Sequence, residues 1–389
     1  MRSRINFRLT FIVLMALAWG GYKLYGHRGP SFLGPGVRLM AYVTNTGDGT
    51  VSAVDLVELA VTATTAVGAG PSGIRAHPRR AEIWGASSEG HVWVLDARSG
   101  QLLSRITVGG TPLAVDFSPD GNQAYVAAPG TRSVFAINCE TRRVAAQTRV
   151  GRRPWLARAS ADGKMVLVTN RDEASVTVLN AATLEVTRTI AVAEQPEQIL
   201  ILPDASKAFA TTATGLISVV DLKRGVLLTN IPIQSAATDL ALTGDTGQLV
   251  APAPASHGIA ILYTSSNEYG DHVPLGTEPR RVALTQLQSS PTLYVADGAA
   301  GRVFAVDFAY RLPGQFPISV GRGPGAMRLT PDERLLLVVN EESNDLAVIR
   351  RGGSSNVNLN PADPQQRTDS LITLIPVGAR PRDIAVKEF

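Results

Sequence analysis

The chain has little of the chemistry that metal, redox and disulfide sites require. Only one cysteine and five histidines occur among its 389 residues. A single cysteine excludes an intrachain disulfide framework, an all-cysteine zinc site and haem attached through a Cys-x-x-Cys-His motif. The histidines are scattered along the chain and form no sequence cluster that would hold a metal ion. We therefore expect no cofactor and no metal.

Catalytic signatures are also missing. The sequence contains no Gly-x-Ser-x-Gly nucleophile elbow and no Gly-x-x-x-x-Gly-Lys phosphate loop. Cys139 stands between Asn138 and Glu140 with no histidine nearby in sequence, which favours an inert thiol. Carboxylates brought together from distant parts of the chain remain an open route to catalysis.

Basic and acidic residues nearly balance outside the first few residues. The chain has 37 basic and 33 acidic residues, for a formal charge of +4. Arg2, Arg4 and Arg8 lie in the first 18 residues, which hold no acid, so the remainder has 34 basic and 33 acidic residues. A near-neutral body is not a general polyanion binder, so we expect no nucleic-acid partner.

Residues 1–18 are typical of a signal peptide. Three arginines precede the apolar run Leu9–Met15, and Ala16-Leu17-Ala18 fits the small-x-small cleavage rule. The alternative is an uncleaved membrane anchor over residues 9–26, which would be short and interrupted by glycine. Both predict a periplasmic, secreted or cell-surface protein, and the anchor would also tether it to the cytoplasmic membrane. Residues 19–36 are interpreted as a linker.

Glycine and proline, 36 and 24 residues, recur at regular positions in the rest of the chain. The junction Val-Gly-x-x-Pro ends at Pro71, Pro112, Pro154, Pro324 and Pro381, with degenerate copies ending at Pro196, Ala237 and Pro279. Successive ends are 41, 42, 42, 41, 42, 45 and 57 residues apart. A period near 42 residues is typical of four-stranded propeller blades.

Each period contains four short apolar runs separated by polar turns, as in 113–150. Valine, isoleucine, leucine and alanine occupy nearly every position of these runs. That pattern predicts strands buried on both faces, as in blades packed between neighbouring blades. No segment shows helical periodicity that could compete with this assignment.

Two pairs of consecutive runs carry a specific motif. Ala41-Tyr-Val-Thr-Asn45 precedes Thr50–Asp55, and Val166-Leu-Val-Thr-Asn170 precedes Ser175–Asn180. This pairing resembles the second and third strands of the YVTN-repeat β-propeller family, and the resemblance covers residues 37–389. It implies an all-β propeller of four-stranded antiparallel blades. The family resemblance implies no single function, because these repeats occur in proteins of several roles.

The blade count follows from how the ends of the chain complete each other. Residues 37–68 supply three strands, and Arg382–Glu388 supply one that reads as a first strand. Joined, they make one blade and leave no open sheet edge in the ring. With seven complete units, this predicts eight blades in a single domain over 37–389, although seven blades are common among relatives. Ile384 and Val386 are then expected to be buried.

Arginines gather where the junctions lie. Arg75, Arg158 and Arg328 each stand four residues after a junction proline, and Asp116 is the acid at the same place. Equivalent positions in a ring point to one axis, so we expect these arginines to face the central channel, with Arg281 and Arg382 at its rim. A basic funnel concentrates anions. Alternatively, the arginines pair with nearby acids such as Asp116, Asp239, Glu278 and Asp383.

Two classes of function remain open. The first is an extracytoplasmic binding or scaffold module, expected to be monomeric, whose partner is an unidentified protein or a small anionic or carbohydrate ligand. Its candidate ligand-binding residues are Arg75, Arg158, Arg328, Arg281, Arg382 and Asp116. The alternative is a lactonase-like hydrolase using the channel face, because some related propellers resemble lactone-cleaving enzymes. We expect a non-catalytic protein, because no converging histidine and acid positions are evident.

Overall fold

The structure is a computed structural model that describes residues 38–287, 291–314, 316–352 and 369–389. The signal peptide or anchor and the linker, residues 1–36, lie outside the described residues. Among the described residues, no helix combines the length and the hydropathy needed to cross a bilayer. The regular structure of these residues consists of strands, joined in three places by a single turn of 3-10 helix at Pro129–Thr131, Arg171–Glu173 and Pro254–Ser256.

The strands form eight antiparallel sheets arranged as the blades of a propeller. The blade that closes the ring begins with β1 (Leu39–Asn45), β2 (Thr50–Asp55) and β3 (Ala60–Ala66). Blade 1 contains β4 (Pro71–Ala76), β5 (Glu82–Ser87), β6 (His91–Asp96) and β7 (Leu102–Thr107). Blade 2 contains β8 (Val115–Phe117), β9 (Gln123–Ala128), β10 (Ser133–Asn138) and β11 (Arg143–Arg149). Blade 3 contains β12 (Pro154–Ala159), β13 (Met165–Asn170), β14 (Ser175–Asn180) and β15 (Val186–Ala191).

The remaining blades follow the same order with local irregularities. Blade 4 contains β16 (Pro196–Ile201), β17 (Lys207–Thr212), β18 (Leu216–Asp221) and β19 (Val226–Pro232). Blade 5 contains β20 (Ala241–Leu242), β21 (Gln248–Ala253), β22 (Gly258–Tyr263) and β23 (Glu268–Pro274). Blade 6 contains β24 (Pro279–Leu284), β25 (Thr292–Asp297), β26 (Arg302–Asp307), β27 (Leu312–Pro313) and β28 (Ile318–Ser319). Blade 7 contains β29 (Pro324–Leu329), β30 (Leu335–Asn340), β31 (Asp345–Arg350) and β32 (Ser370–Pro376), and β33 (Pro381–Glu388) ends the chain.

The last strand completes the closing blade, blade 8, as the sequence predicts. β33 pairs antiparallel with β1, with Val43 opposite Ile384 and Ala41 opposite Val386. Ile384 is fully buried, whereas Val386 is only half-buried. The prediction of eight four-stranded blades is confirmed, with the outer strand of blade 6 split in two.

Burial differs between the strands of one blade. The second and third strands are buried along almost their whole length, as in β1 and β5. The fourth strands are exposed at most positions, as in β3 and β11. The expectation of burial on both faces is therefore wrong for the fourth strands, because they form the perimeter of the ring and only their inner neighbours are enclosed between blades.

The junction glycines and the asparagines of the motif form one structural unit. The Asn170 side chain is buried and donates through Nδ2 to Ser175 Oγ at 3.0 Å and to Thr177 Oγ1 at 2.8 Å. A Cβ on Gly151 would lie 2.6 Å from Asn170 Cγ. Asn45 packs against Gly378 in the same way. These residues hold the end of the second strand against the incoming junction, so their recurrence serves folding.

Candidate functional site

The candidate site is the lumen of the ring, which the first strands of the blades line. Four charged residues occupy equivalent places there, because each lies opposite the third residue of its blade's second strand. The pairs are Arg75 with Trp84, Asp116 with Tyr125, Arg158 with Leu167 and Arg328 with Leu337. The same register in blade 4 pairs Leu200 with Phe209, and in blade 6 it pairs Ala283 with Tyr294. The position is thus free to vary between blades.

The three arginines of this set share one space. Arg158 belongs to blade 3 and Arg328 to blade 7, on opposite sides of an eight-bladed ring, yet the Arg328 guanidinium lowers the pKa of Arg158. Arg75 and Asp383 also act on both of them. Interactions across a ring can pass only through its lumen, so these side chains converge there.

Asp116 is the nearest counter-charge of Arg158. Arg158 Nη1 lies 4.0 Å from Asp116 Oδ1, which is within ion-pair reach but too long for a hydrogen bond. The other carboxylate oxygen, Oδ2, accepts the backbone N–H of Ala159 at 3.0 Å. Arg158 Nη1 is buried and has no hydrogen-bond partner within the described chain. The guanidinium therefore keeps an unused donor inside the ring.

The other two arginines are held more loosely. Arg75 Nη1 donates to the carbonyl oxygen of Ile74 at 3.1 Å, which leaves the rest of its guanidinium for other partners. Arg328 is exposed to the lumen, and the described residues give it no hydrogen bond and no ion pair within 4.0 Å. Burial within the ring lowers the pKa of Arg158 and Arg328, and the neighbouring arginines lower it further. Guanidinium groups nevertheless stay charged at neutral pH.

Arg281 and Arg382 lie apart from this convergence. Arg281 Nη1 donates to the carbonyl oxygen of Thr238 at 3.0 Å, and its charge acts on Asp239. Asp239 accepts the N–H groups of Val282 and Leu240, and burial raises its pKa. Arg382 is exposed at the start of β33. Asp239 is thus under the influence of both Arg281 and Arg328.

Other arginines at the junction end are already paired. Arg152 Nε lies 3.9 Å from Glu173 Oε2, and Arg153 Nη1 lies 3.6 Å from Asp172 Oδ1. Arg171 pairs with Glu197 at 3.0 Å. Arg152 and Arg153 belong to the junction Val150-Gly-Arg-Arg-Pro154, and the carboxylates of the following loop neutralise them.

The described residues hold no group of three or more histidine, cysteine or acidic side chains arranged for a metal ion. Cys139 is buried, and burial raises the pKa of its thiol to about 12, which makes it a poor nucleophile at neutral pH. His77 is buried beside the Asp120-Gly121 turn, where its Nε2 lies 2.8 Å from the carbonyl oxygen of Gly121. Neither side chain occupies the lumen position that Arg75, Asp116, Arg158 and Arg328 share.

Comparisons with known proteins identify the fold. No protein-family model matches the chain, and no curated protein matches it. The dihydro-haem d1 dehydrogenase NirN, solved in complex with DHE, superposes with a TM-score of 0.72 at 15% identity, over 89% of this chain and 74% of that one. Hydrazine synthase of Kuenenia stuttgartiensis superposes with a TM-score of 0.58 at 21% identity, over 74% of this chain and 96% of that one. These similarities support the propeller fold and leave membership of the YVTN-repeat family a resemblance.

Proposed function

We propose that this protein is an extracytoplasmic, non-catalytic binding module whose lumen binds a small anionic ligand. The observation that carries the proposal is the convergence of Arg75, Arg158 and Arg328 in one lumen, with Arg158 Nη1 buried and without a hydrogen-bond partner. Like charges repel, so their convergence is favourable only where counter-charges offset it. Asp116 and Asp383 are the internal counter-charges, and a bound anion would supply the remainder.

The residue type also favours anion recognition. Arginine presents several N–H donors in a planar fork that matches the oxygens of a carboxylate or phosphate. The three arginines come from separate blades, so the rigid ring fixes the spacing of their backbones before a ligand arrives. A site that is formed in advance loses less conformational entropy on binding.

The chain enters the ring at the end away from the junctions, which bears on the proposed location. β1 begins at Leu39 and reaches the junction end at Asn45, where Gly47 N donates to the carbonyl oxygen of Ala379 at 2.9 Å. A tether before residue 38 would therefore attach to the ring at the end opposite the junction-side mouth. A reporter fused after Pro30 should be active only outside the cytoplasm, and cleavage should yield a chain beginning at Trp19. Activity in the cytoplasm would contradict the proposal.

The hydrolase alternative finds no specific support in the geometry. Asp116 and Asp239 each accept a backbone N–H from the first strand of the next blade. These carboxylates already serve to join neighbouring blades. None of the lumen-lining residues described above is a histidine.

The test is anion binding by the full-length chain, measured by calorimetry and by thermal shift with acetate, glucuronate and phosphate. We expect binding that weakens as salt rises, since exposed charges are screened over about 8–10 Å at physiological ionic strength. Arg158→Gln should abolish binding. Arg143→Gln, which removes the same charge from an exposed position on the outer strand β11, is the matched control. Binding that is equal in the Arg158 variant and the wild type would refute the lumen site.

A further inference from the structure

A cleft lies at the junction end of the ring, between blades 6 and 7. Three exposed charged residues, Arg302, Arg322 and Glu342, contribute to its lining, and none of the lumen arginines does. Apart from Val320, its other lining residues are alanine, glycine or serine, so the three charged groups dominate its chemistry. The cleft has a volume of about 320 Å³, which falls within the range of small-molecule sites.

The equivalent part of blade 3 has the same backbone framework. In blade 3, Asp172 N donates to the carbonyl oxygen of Arg152 at 3.3 Å. In blade 7, Glu342 N donates to the carbonyl oxygen of Arg322 at 3.1 Å. Arg152 and Arg322 therefore occupy equivalent places in their junctions, and Asp172 and Glu342 occupy equivalent places in the loops that follow the second strands.

The arginine of blade 3 has a carboxylate beside it, whereas the arginine of blade 7 has a hydroxyl group. Arg152 N donates to Glu173 Oε2 at 2.7 Å, and the Arg152 guanidinium also pairs with this carboxylate. Arg322 N donates in the same way to Ser343 Oγ at 2.9 Å. Serine carries no charge, so the Arg322 guanidinium lacks the partner that blade 3 provides.

The acid of the loop has lost its partner in the same way. In blade 3, Arg153 Nη1 lies 3.6 Å from Asp172 Oδ1. Blade 7 has Gly323 in place of that arginine, and a Cβ on Gly323 would lie 2.8 Å from Glu342 Cγ. The Glu342 side chain thus lies over the glycine at the edge of the cleft. Within the part of the chain that the structure describes, the side chain of Glu342 takes part in no ion pair or hydrogen bond.

We propose that this cleft binds a small zwitterion of the α-amino acid class, with its carboxylate on Arg302 and Arg322 and its ammonium group on Glu342. Such a ligand supplies both partners that blade 3 supplies from its own sequence. A simple carboxylate would match the guanidinium groups but would also face the carboxylate of Glu342. A simple amine would match Glu342 but would face two guanidinium groups. The proposal is independent of the lumen site.

L-Alanine, propionate and ethylamine test this proposal, because alanine carries both charges and each of the others carries one. Saturation-transfer NMR titrations of the full-length chain at pH 7.5 should give alanine an affinity about fivefold higher than that of either analogue, the upper range for one exposed ion pair. Glu342→Gln should remove the advantage over propionate. Gly323→Arg should also remove it, because the new side chain would pair with Glu342. Arg153 has the same positive φ in blade 3, so this backbone accepts arginine.

Asp172→Asn, at the place in blade 3 that corresponds to Glu342, is the matched control and should leave all three affinities unchanged. The titrations are repeated in the Arg158→Gln variant, so that carboxylate binding in the lumen does not contribute to the difference. If Gly323→Arg does not fold, Ser343→Glu supplies the carboxylate of blade 3 and should weaken alanine and propionate together. Alanine that binds no more tightly than propionate would overturn the proposal, and so would an advantage that survives Glu342→Gln.

Discussion

Two sets of positions in the same repeat behave in opposite ways. Where a blade meets its incoming junction, Asn45, Asn170 and Asn340 recur, and all three are buried. Where the first strand faces the lumen, the equivalent residue is arginine in blade 3 but leucine in blade 4, at Leu200. Positions that recur hold the blade together, and positions that vary line the lumen.

The physical reason is the difference in packing. Each buried amide donates through Nδ2 to side chains of its own blade, and the close approach of the junction glycine leaves room for nothing larger. A lumen side chain has no junction glycine packed against it, and arginine, aspartate, leucine and alanine all occur there. Function is therefore expected among the varying positions, and stability among the recurring ones. Three predictions test this division, from the largest expected effect to the smallest.

Removing Arg382–Phe389 should abolish cooperative unfolding, because it takes away the inner strand of blade 8 and opens the ring. Ile384→Ala alone should lower the free energy of unfolding by about 2–5 kcal/mol, since the side chain is fully buried. Leu374→Ala, on the outer strand β32 with 40% exposure, should cost much less. Thermal and denaturant unfolding followed by circular dichroism measure these effects. A truncated chain that melts like the full chain would refute closure by β33.

Gly151→Ala should lower the free energy of unfolding by about 1–3 kcal/mol, because the added Cβ overpacks the site of Asn170. The new atom would lie 2.6 Å from Asn170 Cγ. Gly325→Ala is the matched control, since its Cβ would meet nothing closer than Val339 O at 3.7 Å. Denaturant unfolding of both variants gives the comparison. Equal stability of the two would mean that the recurring glycine does not serve packing.

His77 follows the first strand of blade 1, at a position that is serine in the next two blades, Ser118 in blade 2 and Ser160 in blade 3. Its Nδ1 accepts the N–H groups of Arg79 and Arg80, so the ring must be neutral in the folded state. Burial lowers its pKa below the ordinary 6.5. The unfolded chain then binds a proton before the folded chain does, so His77 stabilises the fold fully above pH 6.5 and less as the pH falls.

The variant His77→Ser should reduce the loss of stability between pH 7.5 and pH 5.5. Carboxylates that titrate in this range contribute equally to both proteins, so the difference between their unfolding free energies isolates the histidine. Denaturant unfolding at several pH values measures it. Identical pH profiles for the two proteins would show that His77 is not held in its neutral form.

Much of the architecture could be read from local patterns. The junction spacing predicts the blades, and the three strands before Pro71 and the single strand after Pro381 predict the closure that β1 and β33 make. The exposure of the fourth strands could not be predicted in the same way. Valine and leucine occur there too, and only the position at the perimeter of the ring decides that β3 and β11 are exposed.

For the candidate site, too, local patterns determined one part and the tertiary structure another. The sequence by itself determined which residues occupy equivalent places, because the period is regular and Arg75, Arg158 and Arg328 each follow a junction proline by four residues. Only the tertiary structure decided which of the arginines are free. Loop carboxylates from the neighbouring turn neutralise Arg152 and Arg153, whereas the ring brings Asp116 and Asp383 close to Arg158 from different blades. Charge balance depends on distances of a few ångströms between side chains far apart in the chain, and no local pattern encodes those distances.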